Sequence, residues 1–354
     1  MKIAKAEIMP VIMPKEDPEW RFALGGGSED RGMIVKLTSD DGLVGLGYTS
    51  AAAHHGVSYG GAKAALEAYT ELLIGQDPFN IERLFGILNS VLRGNNGAKA
   101  AIDLALHDLQ AKALNLPLYS ILGGLVREEI PVLRILALKE PAQMATNALK
   151  LVEQGYSYLK IKLNGDPVKD LERVKEIRKA VGESIHLTVD ANQSYVAKTA
   201  IDTLKRMQEY RVELCEQPVR ADDWQGLAAV TRSVDCLVEA HESALQLENI
   251  FGLVKDKVVD IINLKVGQIG GLRNAKIAAA ICKLGNVSCR VGATGSRILA
   301  AACMHFVAST ENISYACELG EFSRLLNDPV EGLEVEHGKL KVPSTPGIGV
   351  SFRG

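Results

Sequence analysis

From Val132 onward, short apolar runs alternate with longer amphipathic ones. The runs VLRILAL (132–138), YLKIKL (158–163), IHLTVD (185–190), VELCE (212–216), CLVEA (236–240), DIINLK (260–265), VSCRV (287–291) and ISYACE (313–318) read as buried strands. Their starts lie 26, 27, 27, 24, 24, 27 and 26 residues apart. Segments of helical period fill the intervals. PVKDLERVKEIRKAVG opens on Pro167, closes on Gly182, and places Val168, Leu171, Val174, Ile177 and Val181 on one stripe. GGLRNAKIAAAICKLG closes in the same way at Gly285. Eight strand-then-helix units on one period predict a (β/α)8 barrel. A doubly wound sheet is the competitor, but it has fewer units and a glycine-rich first turn.

The first third has a different grammar. RGMIVKLTSDDGLVGLGYTS alternates at Met33, Val35 and Leu37, turns at Asp41-Gly42 and resumes at Leu43 and Val44, a hairpin signal. GAKAAIDLALHDLQAKAL is helical, with Ile102, Ala105, Leu106, Leu109 and Ala113 on one stripe. Pro117, Gly123, Gly124 and Pro131 then break the pattern. The expected division is residues 1–125, then a barrel over 126–325, then a tail of irregular strands, 326–354, that returns to the first domain.

Composition narrows the partners. Of 354 residues, 47% are hydrophobic and 23% charged, as in soluble globular chains. A net charge of −3 predicts neither nucleic acid nor an anionic membrane as partner. No apolar run approaches the roughly 20 residues that span a bilayer, and the start has no signal-peptide core. The six cysteines form no CxxC pair, which suits buried thiols in a reducing cytoplasm.

In such barrels the chemistry sits at the C-terminal strand ends. There the sequence places Lys160 and Lys162, Asp190, Glu216, His241, Lys265 and Glu318. Lys160 and Lys162 are two apart and leave the same face of their strand. Buried ammonium groups are costly without anions to neutralise them. Asp190 and Glu216, on adjacent strands, could hold a hard divalent cation or simply pair with the lysines. The metal is favoured, because a cation there lets a substrate carboxylate bind too. A carboxylate on the ion has its α-proton acidified. Lys162 and Lys265 would then face opposite sides of the reacting carbon as acid and base, with Lys160 a fixed cation beside them.

KIK at 160–162, VDANQS at 189–194, CEQP at 215–218 and NLKVGQIGGL at 263–272 together resemble the enolase superfamily, and within it the muconate-lactonizing-enzyme subgroup. DDGLVGLG, AKAAIDLALHDL, LPLYSILGG and VPSTPGIGV extend the likeness over nearly the whole chain. The resemblance implies an α/β fold: a modified TIM barrel, (β/α)7β, under an N-terminal α+β capping domain completed by the C-terminal tail. It also implies metal-assisted α-proton abstraction from a small carboxylate, with Mg2+ as the expected ion, and a homo-oligomer between dimer and octamer.

Departures from the family pattern are as informative. Where the family has an ADES-like segment carrying an acidic third ligand, this chain has AHES. His241 is therefore expected as the third ligand, and neutral imidazole favours softer ions such as Mn2+; in the alternative, His241 meets substrate while Glu242 or water completes the shell. Asn192 and Glu242 are expected to support the ligands from outside. The hairpin ends in Gly-Leu-Gly-Tyr48, not the family's Gly-x-Gly-Glu. Glu318-Leu319-Gly320 replaces the Asp-x-Asp of dipeptide epimerases, which disfavours that activity.

Substrate choice falls to two loops. EDPEWRFALGGGSEDRG offers Trp20 and Arg21, the latter a candidate for a second substrate anion; YTSAAAHHGVSYGG offers His54 and His55, which more often are solvated loop residues. Thr294 and Ser296 of VGATGSR are expected to line the pocket with hydroxyls, and Glu318 to contact substrate. His107 with Asp103 reads as a structural pair, and His186 and His305 as core histidines. The reaction expected is racemisation, epimerisation or cycloisomerisation; a hydroxy-acid dehydratase and a degenerate anion-binding barrel are the alternatives.

Overall fold

The computed structural model describes residues 1–353. The alternation at Met33, Val35 and Leu37 becomes the strand Glu29–Ser39, which pairs antiparallel with Ile3–Pro14 and with Val44–Ser50. These three side chains are fully buried against helices Tyr59–Leu73, Ile81–Val91 and Asn96–Ala113. The last of these helices lies very close on Val44–Ser50. A Cβ at Gly47 would collide with the Ala101 carbonyl, and one at Gly45 with that of Ala105. The Gly-Leu-Gly of the hairpin is thus a helix-packing device.

Seven parallel strands follow: Leu133–Leu136, Tyr158–Lys162, His186–Asp190, Val212–Glu216, Leu237–Ala240, Ile261–Leu264 and Ser288–Val291. Each is hydrogen-bonded to the next in chain order. The eighth apolar run does not form a full strand. It closes the ring by single bridges, Gly292 to Glu318 on one edge and Val132 to Cys317 on the other. Among the described residues eight helices, from Pro141–Glu153 to Arg297–Ala308, make the seven connections, the one after the sixth strand holding two, Val266–Ile269 and Leu272–Leu284. The fold is an α/β (β/α)7β barrel beneath a capping domain. Most of the stripe on helix Pro167–Val181 is buried or half-buried, but Val168 is 70% exposed, in the first turn capped by Asp166.

The tail contacts both domains. Lys339–Lys341 pairs with Glu129–Pro131, Gly347 bridges Pro117, and the Ile348 amide donates to Asp108 of the capping helix at 2.9 Å. Asp103 on the same helix accepts from the Leu272 amide at 2.5 Å, at the start of a barrel helix. All six cysteines are buried free thiols. No described helix is long and apolar enough to cross a membrane.

Candidate active site

The strand ends carry their polar residues inward because side chains alternate along a strand. Register then decides who meets whom. Lys162 stands opposite Asp190, and Asp190 opposite Glu216. Lys162 Nζ donates to Asp190 Oδ2 at 2.5 Å and to Asn192 Oδ1 at 2.9 Å. Lys160, 1% exposed, donates to Glu216 at 2.8 Å and to Glu318, and lies 3.4 Å from Asp190. Lys265 reaches the other oxygen of Glu318 at 2.9 Å. Lys162 and Lys265 stand on the second and sixth of eight staves, half-way round the ring from one another. A Cβ at Gly292 would strike the Lys265 ammonium, so that glycine leaves room for the lysine head.

His241 lies at the centre of the acidic group. Its Nδ1 is 2.8 Å from Glu216 Oε1 and 3.4 Å from Glu242 Oε2, and Asn192 donates to Glu242 at 3.1 Å. The backbone here is set by Gln217, whose Oε1 accepts from the amides of His241 at 3.0 Å and Ser243 at 3.1 Å. Gln217 itself sits at φ +39°, a left-handed conformation unusual for a side chain with Cβ. Beneath the site, Arg290 donates to Glu216 at 2.5 Å and to Glu239 at 2.8 Å, and Asn263 donates to Glu216 at 3.3 Å. Arg290, Glu239, Asn263 and Gln217 were missed by sequence reasoning that looked only at strand ends. For Arg290, Glu239 and Asn263 the signal was present, as charged and amide residues inside otherwise apolar strand segments.

Electrostatics follows from these contacts. Burial pushes the Glu216 carboxyl up, but Lys160, the His241 hydrogen bond and Arg290 outweigh it and hold it well below the usual range. For Asp190, burial and Glu216 push up while Lys162 and Lys160 pull further down. Burial, with the nearby charges of Lys160, Lys162 and Arg290, lowers Lys265 to about 8.

These groups open into a cavity of about 310 Å³ between barrel and capping domain. Trp20, Phe22, His54 and Thr294 line it, and the Lys162 ammonium lies 5.3 Å from the centre of the Phe22 ring. The His54 ring packs edge-on against Phe22 at the exposed mouth of the cavity, where partial desolvation and the charges of His241, Lys162 and Lys265 lower its pKa to about 4. The side chain of His55 lies outside the described residues. Three expectations change. Arg21 is exposed on a short loop hairpin and does not line the cavity. Ser296 is also absent from the lining: its Oγ caps helix Arg297–Ala308 and donates to Asp328 at 3.1 Å. His186 is not a core residue; its side chain is 42% exposed, stacked on Tyr158 and 2.7 Å from Glu213 at the N-terminal strand ends. His107 is held by Asp103 as a structural pair, and His305 is fully buried.

Among the described residues no group of three or more His, Cys, Asp or Glu side chains is set to hold a metal ion, the carboxylates being turned onto the lysines. The donor chemistry nevertheless suits one. Four buried carboxylates (Asp190, Glu216, Glu242, Glu318) face three lysines (160, 162, 265). The excess negative charge favours a divalent ion, and the ion then leaves positive charge for a substrate carboxylate.

Fold and site define a capped-barrel enzyme with its polar centre at the strand ends. Residues 4–123 match the mandelate racemase / muconate lactonizing enzyme N-terminal domain, and 143–354 the enolase C-terminal domain-like family. A hydrophobic dipeptide epimerase of Enterococcus faecalis is 34% identical over 93% of this chain and 94% of its own length. A chloromuconate cycloisomerase of Cupriavidus necator is 34% identical over 90% of this chain and 88% of its own. The crystal structure of the Enterococcus faecalis V583 dipeptide epimerase, complexed with Mg and L-Leu-L-Tyr, superposes with a TM-score of 0.96 at 32% identity, covering 99% of this chain and all of that one. The chain belongs to the mandelate racemase / muconate lactonizing enzyme family of the enolase superfamily, and is a metal-dependent isomerase.

Proposed function

We propose that this enzyme moves a proton at the carbon next to a substrate carboxylate, giving racemisation, epimerisation or cycloisomerisation. One observation carries the reading: Lys162 and Lys265 enter the same cavity from opposite staves. A neutral lysine on one face removes the α-proton, and the protonated lysine on the other returns one, inverting the centre. Asp190 and Asn192 hold the head of Lys162, and Glu318 holds that of Lys265, so both are oriented before substrate arrives. Lys160 ties Glu216 and Glu318 together at the bottom of the cavity. Asp190, Glu216 and His241 are the side chains that would hold Mg2+ or a softer divalent ion. When bound, that ion supplies positive charge to the substrate carboxylate and makes the adjacent C–H more acidic. Phe22 of the capping domain packs over the Lys162 ammonium, 5.3 Å from the ring centre, and shields it from one side.

The relatives with the same proportion of identity include both a dipeptide epimerase and a cycloisomerase, so they do not choose the substrate. A dehydratase needs an acid at a leaving hydroxyl. In this cavity that acid would have to be Lys265 or His54.

The test is ¹H NMR in deuterated buffer with Mg2+ or Mn2+ and a panel of carboxylates, N-acyl and cyclic amino acids and dipeptides. Loss of the α-proton signal without elimination is expected for at least one class. Elimination products would favour the dehydratase, and absence of exchange across the panel would count against the whole reading.

A further inference from the structure

We infer that Arg324 binds a second anionic group of the substrate, on the capping-domain side of the cavity, so that the enzyme selects dianionic over monoanionic carboxylates. The inference rests on the cavity being the substrate site, as proposed above, and it adds the class of substrate.

Arg324 belongs to the short helical turn Glu321–Arg324 that follows the eighth stave. It lines the same cavity as the three lysines and is only 7% exposed. Its guanidinium lies 4.2 Å from the centre of the Trp20 ring, and Lys15 lies 5.2 Å from that ring, so the indole sits among two cations. The surrounding charges do not balance. Lys15 is matched by Asp30 at 3.0 Å, and Arg31 by Glu29 at 2.6 Å. Glu321, by contrast, is shared between Arg134 at 3.2 Å and Arg324 at 3.0 Å. Two guanidiniums therefore draw on one buried carboxylate. Of the pair, only Arg324 lines the cavity.

Its hydrogen-bonding capacity is unbalanced in the same direction. Among the described residues, Arg324 Nε has no hydrogen-bond acceptor although it is buried. A buried guanidinium left short of acceptors is costly, and a substrate carboxylate presented to its edge removes that cost. Stacking on Trp20 fixes the guanidinium plane, so little freedom is lost when an anion docks. Arg21, on the lid loop, does not line the cavity, so the second-anion role passes from the lid to the barrel.

The experiment is calorimetric binding of paired probes to the Mg2+-loaded enzyme: glutarate and adipate against their half-amides, which differ in one charge and hardly in shape. Wild type is expected to bind a dicarboxylate about tenfold more tightly than its half-amide, the gain of one charge-assisted contact. Arg324→Met should abolish that ratio, and Arg324→Lys, which keeps the charge but loses the planar fork, should retain part of it. Equal affinities in wild type, or an undiminished ratio in Arg324→Met, would overturn the inference. Should Arg324→Met fail to fold by circular dichroism, Arg324→Lys decides: a ratio identical to wild type overturns it. Absence of α-proton exchange with a normal binding ratio would strike the catalytic reading and leave this one standing; exchange without a charge preference would do the reverse.

Discussion

His241 brings an imidazole to a place where acidic residues surround it. Its amide is anchored by Gln217 and its ring faces Glu216, so the side chain is placed rather than loosely exposed. If it completes the ion's ligand set, His241→Asp should raise Mg2+ affinity by on the order of tenfold, since affinity for hard cations grows with ligand charge. Titration calorimetry of the two proteins checks this, and unchanged Mg2+ affinity would remove His241 from the ligand set. Lys265 carries the second residue-scale prediction. With its pKa lowered to about 8, the neutral, proton-accepting form accumulates as pH rises through that value. Proton removal from the face served by Lys265 should therefore rise with pH and level off above about 8, read as kcat/KM for deuterium exchange from a single enantiomer; a profile flat through that region would contradict it. At this scale the sequence was legible where spacing alone sets direction. Lys160 and Lys162 had to share a face. Gln217 was not legible, because its role depends on a left-handed turn that brings its amide back to another strand.

The elements were read from their periods, and seven of eight barrel runs became strands. The eighth became a stave held by isolated bridges, from Ile313 to Cys289, Glu318 to Gly292 and Cys317 to Val132. The hairpin glycines show what pattern cannot reveal. Gly45 and Gly47 look like turn or bulge residues, yet they admit a helix against a strand. Gly47→Ala should destabilise the protein by about 1–3 kcal/mol, the usual cost of overpacking a close contact. A thermal or urea midpoint indistinguishable from wild type would show that the helix yields without penalty. Ser296 makes the complementary point: its place before an apolar helix suits an N-cap, and the side chain is used for that and for Asp328.

For the whole molecule, the coupling of cap to barrel decides the site. Asp103, on a capping-domain helix, accepts the first free amides of a barrel helix at Leu272 and Arg273. Asp103→Ala should lower stability by about 0.5–2 kcal/mol, the range for a lost helix cap, while leaving Mg2+ affinity near wild type. A differential scanning calorimetry trace with an unchanged midpoint would argue that the cap is held by packing alone. By itself the sequence determined the barrel, its strand ends and the lysine, acid and histidine side chains gathered there, because hydrophobic period and strand alternation are local properties. Only the tertiary structure decided which acid each lysine meets, which guanidinium lines the cavity, and that Arg21 and Ser296 stay out of it. Those outcomes depend on strand register and on how a lid loop lies over a barrel, and residues distant in the chain settle both together.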